Sequence, residues 1–107
     1  MSNVYKNAKL DLTTTNATVL LTVPAARTAI FKSILVSEDS GNADTITATV
    51  TDVAAAVFSL FKVKAVAANT TIELLTAPLV LETGEILKVN AATANRLHVV
   101  ASYLEVS

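Results

Sequence analysis

Apolar and polar residues alternate with a period of two along most of this chain, in segments rich in Val, Ile, Thr and Leu. That period is the signature of half-buried β-strands. The clearest case is Thr45-Ile46-Thr47-Ala48-Thr49-Val50-Thr51, where Ile46, Ala48 and Val50 share one face and threonines line the other. The branched Cβ of threonine fits a pleated surface while its hydroxyl stays wet. The same reading predicts a first strand over Val4–Leu12, a second over Ala17–Val23 ended by Pro24, and a third over Thr28–Ser37 with Ile30, Ile34 and Val36 on one face. A fifth over Ala56–Ala65 sets Val57, Phe61 and Val63 opposite Lys62 and Lys64. Thr70–Leu75 and Glu85–Ala91 follow, and the last strand, Arg96–Val106, turns Leu97, Val99, Ala101 and Tyr103 one way. Pro78 opens a short extended piece, Leu79–Leu81, expected to bridge between sheets.

The breaks between these segments carry turn chemistry. Glu38-Asp39-Ser40-Gly41-Asn42-Ala43-Asp44 is a polar cluster, and Glu82-Thr83-Gly84-Glu85 is a tight turn in which glycine supplies a positive φ. Ala67-Ala68-Asn69 and Ala92-Thr93-Ala94-Asn95 are shorter breaks. Two stretches have helical character, Asp52–Leu60 with its three alanines and Ala91–Ala94. Neither reaches the length of a stable amphipathic helix, and the first reads as turn then strand.

Short strands at regular spacing with no helices between them indicate an all-β fold. The expected architecture is a two-sheet antiparallel β-sandwich of about eight strands, with jelly-roll or immunoglobulin-like topology. The paired cysteines and core tryptophan of immunoglobulin domains are absent. Residues 1–107 form a single domain, since a chain this size has room for one core.

Composition narrows the function. Hydrophobic residues make up 52% of the chain and charged residues only 16%, against roughly 25% in average proteins. So few charges cannot cover an isolated surface, and the chain is expected to pack against copies of itself or another protein. Net charge is −1, and Lys6, Lys9, Arg27, Lys32, Lys62, Lys64, Lys88 and Arg96 are scattered among acids, which argues against nucleic acid. The longest apolar stretch, Val53 to Phe61, falls well short of the roughly twenty residues of a membrane span. The chain has no cysteine, which removes disulfides, thiolate metal sites and thiol nucleophiles. With a start, Met1-Ser2-Asn3-Val4-Tyr5-Lys6, that lacks the core of a signal peptide, this favours synthesis in a reducing cytoplasm.

The residues offer little catalytic chemistry. Catalysis needs titratable groups that converge, and the single histidine, His98, lies in the last strand opposite Leu97 and Val99. It reads as a surface or interface histidine. The acidic loop 38–44 is either a plain hairpin turn or a set of oxygen ligands for calcium. Its spacing does not match a twelve-residue calcium loop, and Asp, Asn, Ser and Gly are what turns are made of. Asn16-Ala17-Thr18 and Asn69-Thr70-Thr71 are formal glycosylation sequons that coincide with turns. Two distant glycines cannot form a phosphate loop, and Tyr5, Phe31, Phe58, Phe61 and Tyr103 are too dispersed for a stacking platform. No catalytic residue, metal site or cofactor is expected.

The order of segments carries a resemblance. Tyr5-Lys6-Asn7-Ala8-Lys9-Leu10-Asp11-Leu12 leads to Leu20-Leu21-Thr22-Val23-Pro24-Ala25 and Lys32-Ser33-Ile34-Leu35-Val36-Ser37. Glu73 to Leu81, Gly84 to Val89 and Leu97 to Glu105 complete the series. Over nearly its whole length the chain resembles small β-sandwich virion proteins of tailed bacteriophages, marine and cyanobacterial ones in particular. The resemblance implies a structural virion protein without enzymatic activity, assembled in the bacterial cytoplasm. The role expected is capsid decoration (cement), with the major capsid protein as partner. A neck, tail or fibre-attachment adaptor is the alternative, and a carbohydrate- or receptor-binding module the alternative of another class. Alternation suggests a homo-oligomer, with a trimer burying Val4, Tyr5, Val100 and Leu104, and with the edges of the first and last strands open to another sheet.

Overall fold

The computed structural model describes residues 2–107. The described residues are all β, with 61% in strands and two antiparallel sheets packed together. The strands are β1 (Asn3–Asp11), β2 (Thr18–Thr22), β3 (Thr28–Glu38), β4 (Asp44–Thr51), β5 (Val57–Val66), β6 (Thr71–Glu73), β7 (Leu79–Leu81), β8 (Ile86–Ala91) and β9 (Leu97–Val106). The first sheet has the order β1-β9-β3-β6, with β7 also on β3, and the second has the order β2-β8-β4-β5.

This order is a nested hairpin. β4 pairs β5 at the tip, β3 pairs β6 and β7, β2 pairs β8, and β1 pairs β9. Rolling that hairpin brings β3 against β9 and β4 against β8, which closes two four-position sheets. The result is a jelly roll, not the immunoglobulin-like arrangement. β6 and β7 share one position, so nine segments fill eight places. Leu79–Leu81 therefore does not bridge the sheets: it extends the edge that β6 begins.

The core lies between the sheets. Phe31, Leu12, Ile34, Ile46, Leu81, Leu87 and Leu97 are its largest fully buried apolar side chains. Phe31 tilts against Tyr103 with ring centroids 5.1 Å apart, within the range of favourable aromatic pairs. Leu97, Val99, Ala101 and Tyr103 alternate inward along β9, as do Ile46, Ala48 and Val50 along β4.

Bulges break the pattern elsewhere, and each inserts a residue that turns the strand over. In β3 the register slips between Phe31 and Ser33. Phe31, Ile34 and Val36 face inward, whereas Ile30 joins the outer face instead of sharing one with Ile34. In β5 the register slips twice, and Val63 takes φ 54°. Val57 pairs an outward threonine while Phe61 pairs the inward Ala48, so Val57, Phe61 and Val63 do not share a face, and the alternation of Lys62 with Lys64 is interrupted. The last strand is not an edge. β9 is paired on both sides, which leaves β1 with the open ladder.

Candidate functional site

Cross-strand register defines the outer face of each sheet. On the second sheet, Thr45, Thr47, Thr49 and Thr51 point outward, with Asn90 opposite Thr47 and Lys88 opposite Thr49. The Thr47 hydroxyl accepts the Val63 N–H at 3.0 Å, while the Thr51 hydroxyl is buried without a partner. Val19 on β2 and Val57, Phe58 and Val63 on β5 are exposed at the margins of this sheet.

On the first sheet the apolar residues line up across the strands. One row crosses four strands as Tyr5–Leu104–Ile30–Val80, joining β1, β9, β3 and β7. A second row reads Lys9–Val100–Leu35–Glu73, an apolar pair between a cation on one edge and an anion on the other. Asn7, Ser102 and Ser33 lie between these rows, and Asp11–His98–Ser37–Thr71 lies beyond the second. Tyr5 is 76% exposed, Val80 54%, Leu35 40% and Val100 37%. Aliphatic and aromatic side chains this open, arranged in two rows in register across the sheet with a polar row between them, form a surface of the kind found at protein contacts.

Three of the four residues expected at an interface, Tyr5, Val100 and Leu104, fall together on this face. Val4 does not. It pairs Glu105, whose carboxylate faces inward, so Val4 belongs to the opposite face of β1. Ile30, Leu35 and Val80 belong to the patch and escape a reading by alternation. The bulge inverts β3 at the first, and the second and third join the patch only through pairings of distant segments.

The titratable groups serve the framework. Glu38, 1% exposed at the end of β3, accepts bonds from Ser40 N at 2.9 Å, Gly41 N and Asn69 N at 3.1 Å, and the Ser40 hydroxyl. The Ser40 hydroxyl and these amides outweigh burial and hold the carboxyl at about 2, well below its usual range. This carboxylate is the hub of the 38–44 loop and ties it to the 67–70 turn. Asp44 accepts Thr93 N at 3.1 Å. Asp39 faces His98 Nδ1 at 3.6 Å, while His98 Nε2 faces Asp11 at 3.3 Å. The acidic loop thus spends its carboxylates on separate partners, and among the described residues no three His, Asp or Glu side chains converge as metal ligands. Glu105 sits between Lys6 at 3.1 Å and Arg27 at 3.5 Å, closing one end of the sandwich.

One apolar groove of about 260 Å³ opens where β5 and the β6–β7 segment part, lined by Leu60, Phe61, Leu74, Leu75, Pro78 and Leu79 among others. It brings no titratable side chain together with a nucleophile. Tyr5 and Phe58, the most exposed aromatic residues, belong to different sheets and form no shared platform. No helix among the described residues is long and apolar enough to cross a membrane. No family model matches the chain, and no curated protein matches it.

Proposed function

We propose that this protein is a structural component of a virus particle, a decoration protein of a tailed bacteriophage that binds the assembled shell and stabilises it. The observation that carries this reading is the outer face of the first sheet, where Tyr5, Leu104, Ile30 and Val80 cross four strands in register and Val100 lies beside Leu35. The resemblance of the segments to small phage virion sandwiches supplies the setting. A jelly roll with apolar rows crossing one outer face suits a part whose work is packing against protein.

The mechanism is mass action. A protein that binds the closed shell and not its separated subunits shifts the equilibrium toward the shell, by about 2.7 kcal/mol per site at a hundredfold excess over Kd. The homo-oligomer meets the major capsid protein through surfaces that include the open ladder of β1, where main-chain groups are free to pair with another strand.

Quantitative mass spectrometry of purified virions tests the reading. A copy number near that of the major shell protein, or in a simple ratio to it, supports decoration. A few to a few tens of copies moves the protein to the neck, tail or fibre apparatus. Absence from particles overturns the virion role.

A further inference from the structure

The rows on the outer face of the first sheet have a symmetry that alternation along a single strand does not reveal. Consider a twofold axis running parallel to the strands, in the plane of contact, between β9 and β3. It exchanges β9 with β3, and β1 with the β6–β7 edge, while leaving each row at its own height. Tyr5 then lies over Val80 of the second copy, Leu104 over Ile30, and Val100 over Leu35. Lys9 lies over Glu73, and by symmetry this ion pair forms twice. From these juxtapositions we infer that the face is a self-complementary seam on which two copies of this chain pack sheet to sheet as an isologous dimer.

Charge and size both fit. An isologous contact requires each patch to complement itself, so a cation on one margin must have an anion on the opposite margin at the same height. Lys9 and Glu73 occupy those positions, three strand spacings apart. Glu73 meets the requirement for a fixed anion. Partial burial pulls its carboxyl upward, but bonds from the Ser33 hydroxyl and the amides of Ile34, Leu75 and Leu74 outweigh that and hold it below the usual range. Four strand positions at about 4.8 Å and nine residues at about 3.4 Å give a footprint of roughly 19 by 30 Å. With its side-chain relief, that approaches the roughly 800 Å² per partner of a standard stable interface. The second sheet fails the same requirement, because its exposed Val19 and Val57 lie in different rows, Val19–Lys88–Thr49–Ser59 and Thr22–Ile86–Thr51–Val57, and neither row is apolar across the strands.

One charge stands near the axis. Lys32, the extra residue of the β3 bulge, is exposed, and it is the one Lys, Arg, Asp or Glu side chain among the outward positions of β9 and β3. Its long stem lets the ammonium leave the seam for water, but the two symmetry-related ammoniums repel. Replacing it with an apolar residue of similar length therefore tightens the dimer. The twofold seam takes the place of the threefold arrangement suggested by alternation, and it holds whether or not the protein belongs to a virion.

Sedimentation velocity on the full chain from about 1 to 100 μM is the test, joined to zero-length carbodiimide cross-linking. Wild type is expected to sediment with twice the mass of the 11.2 kDa chain and to yield a Lys9–Glu73 cross-linked peptide. Within one chain these residues are about 14 Å apart, out of reach of a zero-length reagent. Val100→Asp is expected to sediment as monomer and lose the cross-link, with its circular dichroism spectrum intact. Should that variant fail to fold, Tyr5→Asp at the exposed margin takes its place, expected to weaken the dimer at least tenfold. Thr49→Asp on the second sheet is expected to change nothing, and Lys32→Met to lower the dissociation constant. A wild-type monomer at 100 μM, a trimer, or a dimer indifferent to both aspartates overturns the inference. A dimer that is missing from virions preserves it and overturns the virion role alone.

Discussion

The carboxylate of Glu73 accepts the backbone N–H of Ile34 at 2.7 Å, and this bond splices two short strands onto one long neighbour. β7 pairs β3 at Ala29–Phe31 and β6 pairs it at Leu35–Ser37, which leaves the bulged stretch between them without a strand partner on that edge. Glu73 fills the gap, also accepting the Ser33 hydroxyl and the Leu75 amide, while Leu74 N–H bonds Ile34 O at 2.9 Å. Glu73→Ala leaves the bulge amide to water. The carboxylate is exposed, so the cost is discounted to about 1 kcal/mol. The expected readout is a lowered urea midpoint with faster hydrogen exchange confined to Ile34 and Leu75. Unchanged exchange at both amides would show that the splice contributes nothing.

Glu38 makes stability depend on acid. Its folded-state pKa is about 2, depressed from an ordinary value of 4.5 by the Ser40 hydroxyl and the amides of Asn69, Ser40 and Gly41. A depressed carboxyl stabilises the fold fully above its unfolded pKa and loses that contribution as pH falls through the folded one. The window is therefore about 4.5 down to about 2. Glu73, shifted in the same direction, adds to the loss. Glu38→Gln is expected to lower stability at pH 7 and to flatten the stability profile across that window. A variant whose profile parallels wild type down to pH 2 would remove Glu38 as the source.

Phe31 has no exposed surface and stacks against Tyr103 at the centre of the sandwich. Phe31→Ala removes a ring that its rigid neighbours cannot replace, at a cost of about 3–5 kcal/mol. That is a large share of the roughly 5–15 kcal/mol available to a domain. Chemical denaturation should show the midpoint falling sharply with the slope unchanged. A cost below about 1 kcal/mol would mean the core collapses around the loss.

What was legible in the sequence follows from what a period of two can encode. β4 and β9 run without a bulge on their inward faces, and their alternation predicts which residues are buried. β3 contains one inserted residue and β5 two, and each insertion inverts the side chains after it. Ile30 and Val57 were therefore expected on the wrong faces. Nothing local marks the Lys32 insertion, because a bulge is stabilised by its neighbour, here the Glu73 side chain arriving from about forty residues away. The interaction face was half legible for the same reason. Tyr5, Val100 and Leu104 follow from alternation, but Val80 and Leu35 join them only through pairings the chain makes at long range. Val4 does not join them, because it is adjacent to Tyr5 and adjacent strand residues face opposite ways.

Gly84 is held by backbone conformation more than by space. Its φ is +82°, and a Cβ built there would meet Val53 Cγ1 at 2.8 Å. Its N–H bonds Val23 O at 3.0 Å, and Glu85 N–H bonds Glu82 O at 3.0 Å, so the turn cannot shift without breaking the entry to β8. The left-handed conformation costs an L-residue about 1–2 kcal/mol. The contact is cheaper to relieve, since Val53 is 76% exposed on the β4–β5 turn and can move outward into solvent. The two contributions separate in a double-mutant cycle. Gly84→Ala is expected to cost about 1–2 kcal/mol, and Val53→Ala alone less than about 0.5 kcal/mol. In the Val53→Ala background Gly84→Ala should keep most of its cost, because removing the methyl groups leaves φ where it was. Gly84→Asn should cost less than Gly84→Ala, since asparagine tolerates the left-handed region. If Val53→Ala erases the penalty instead, crowding against the hairpin tip dominates and the conformational account of this glycine fails.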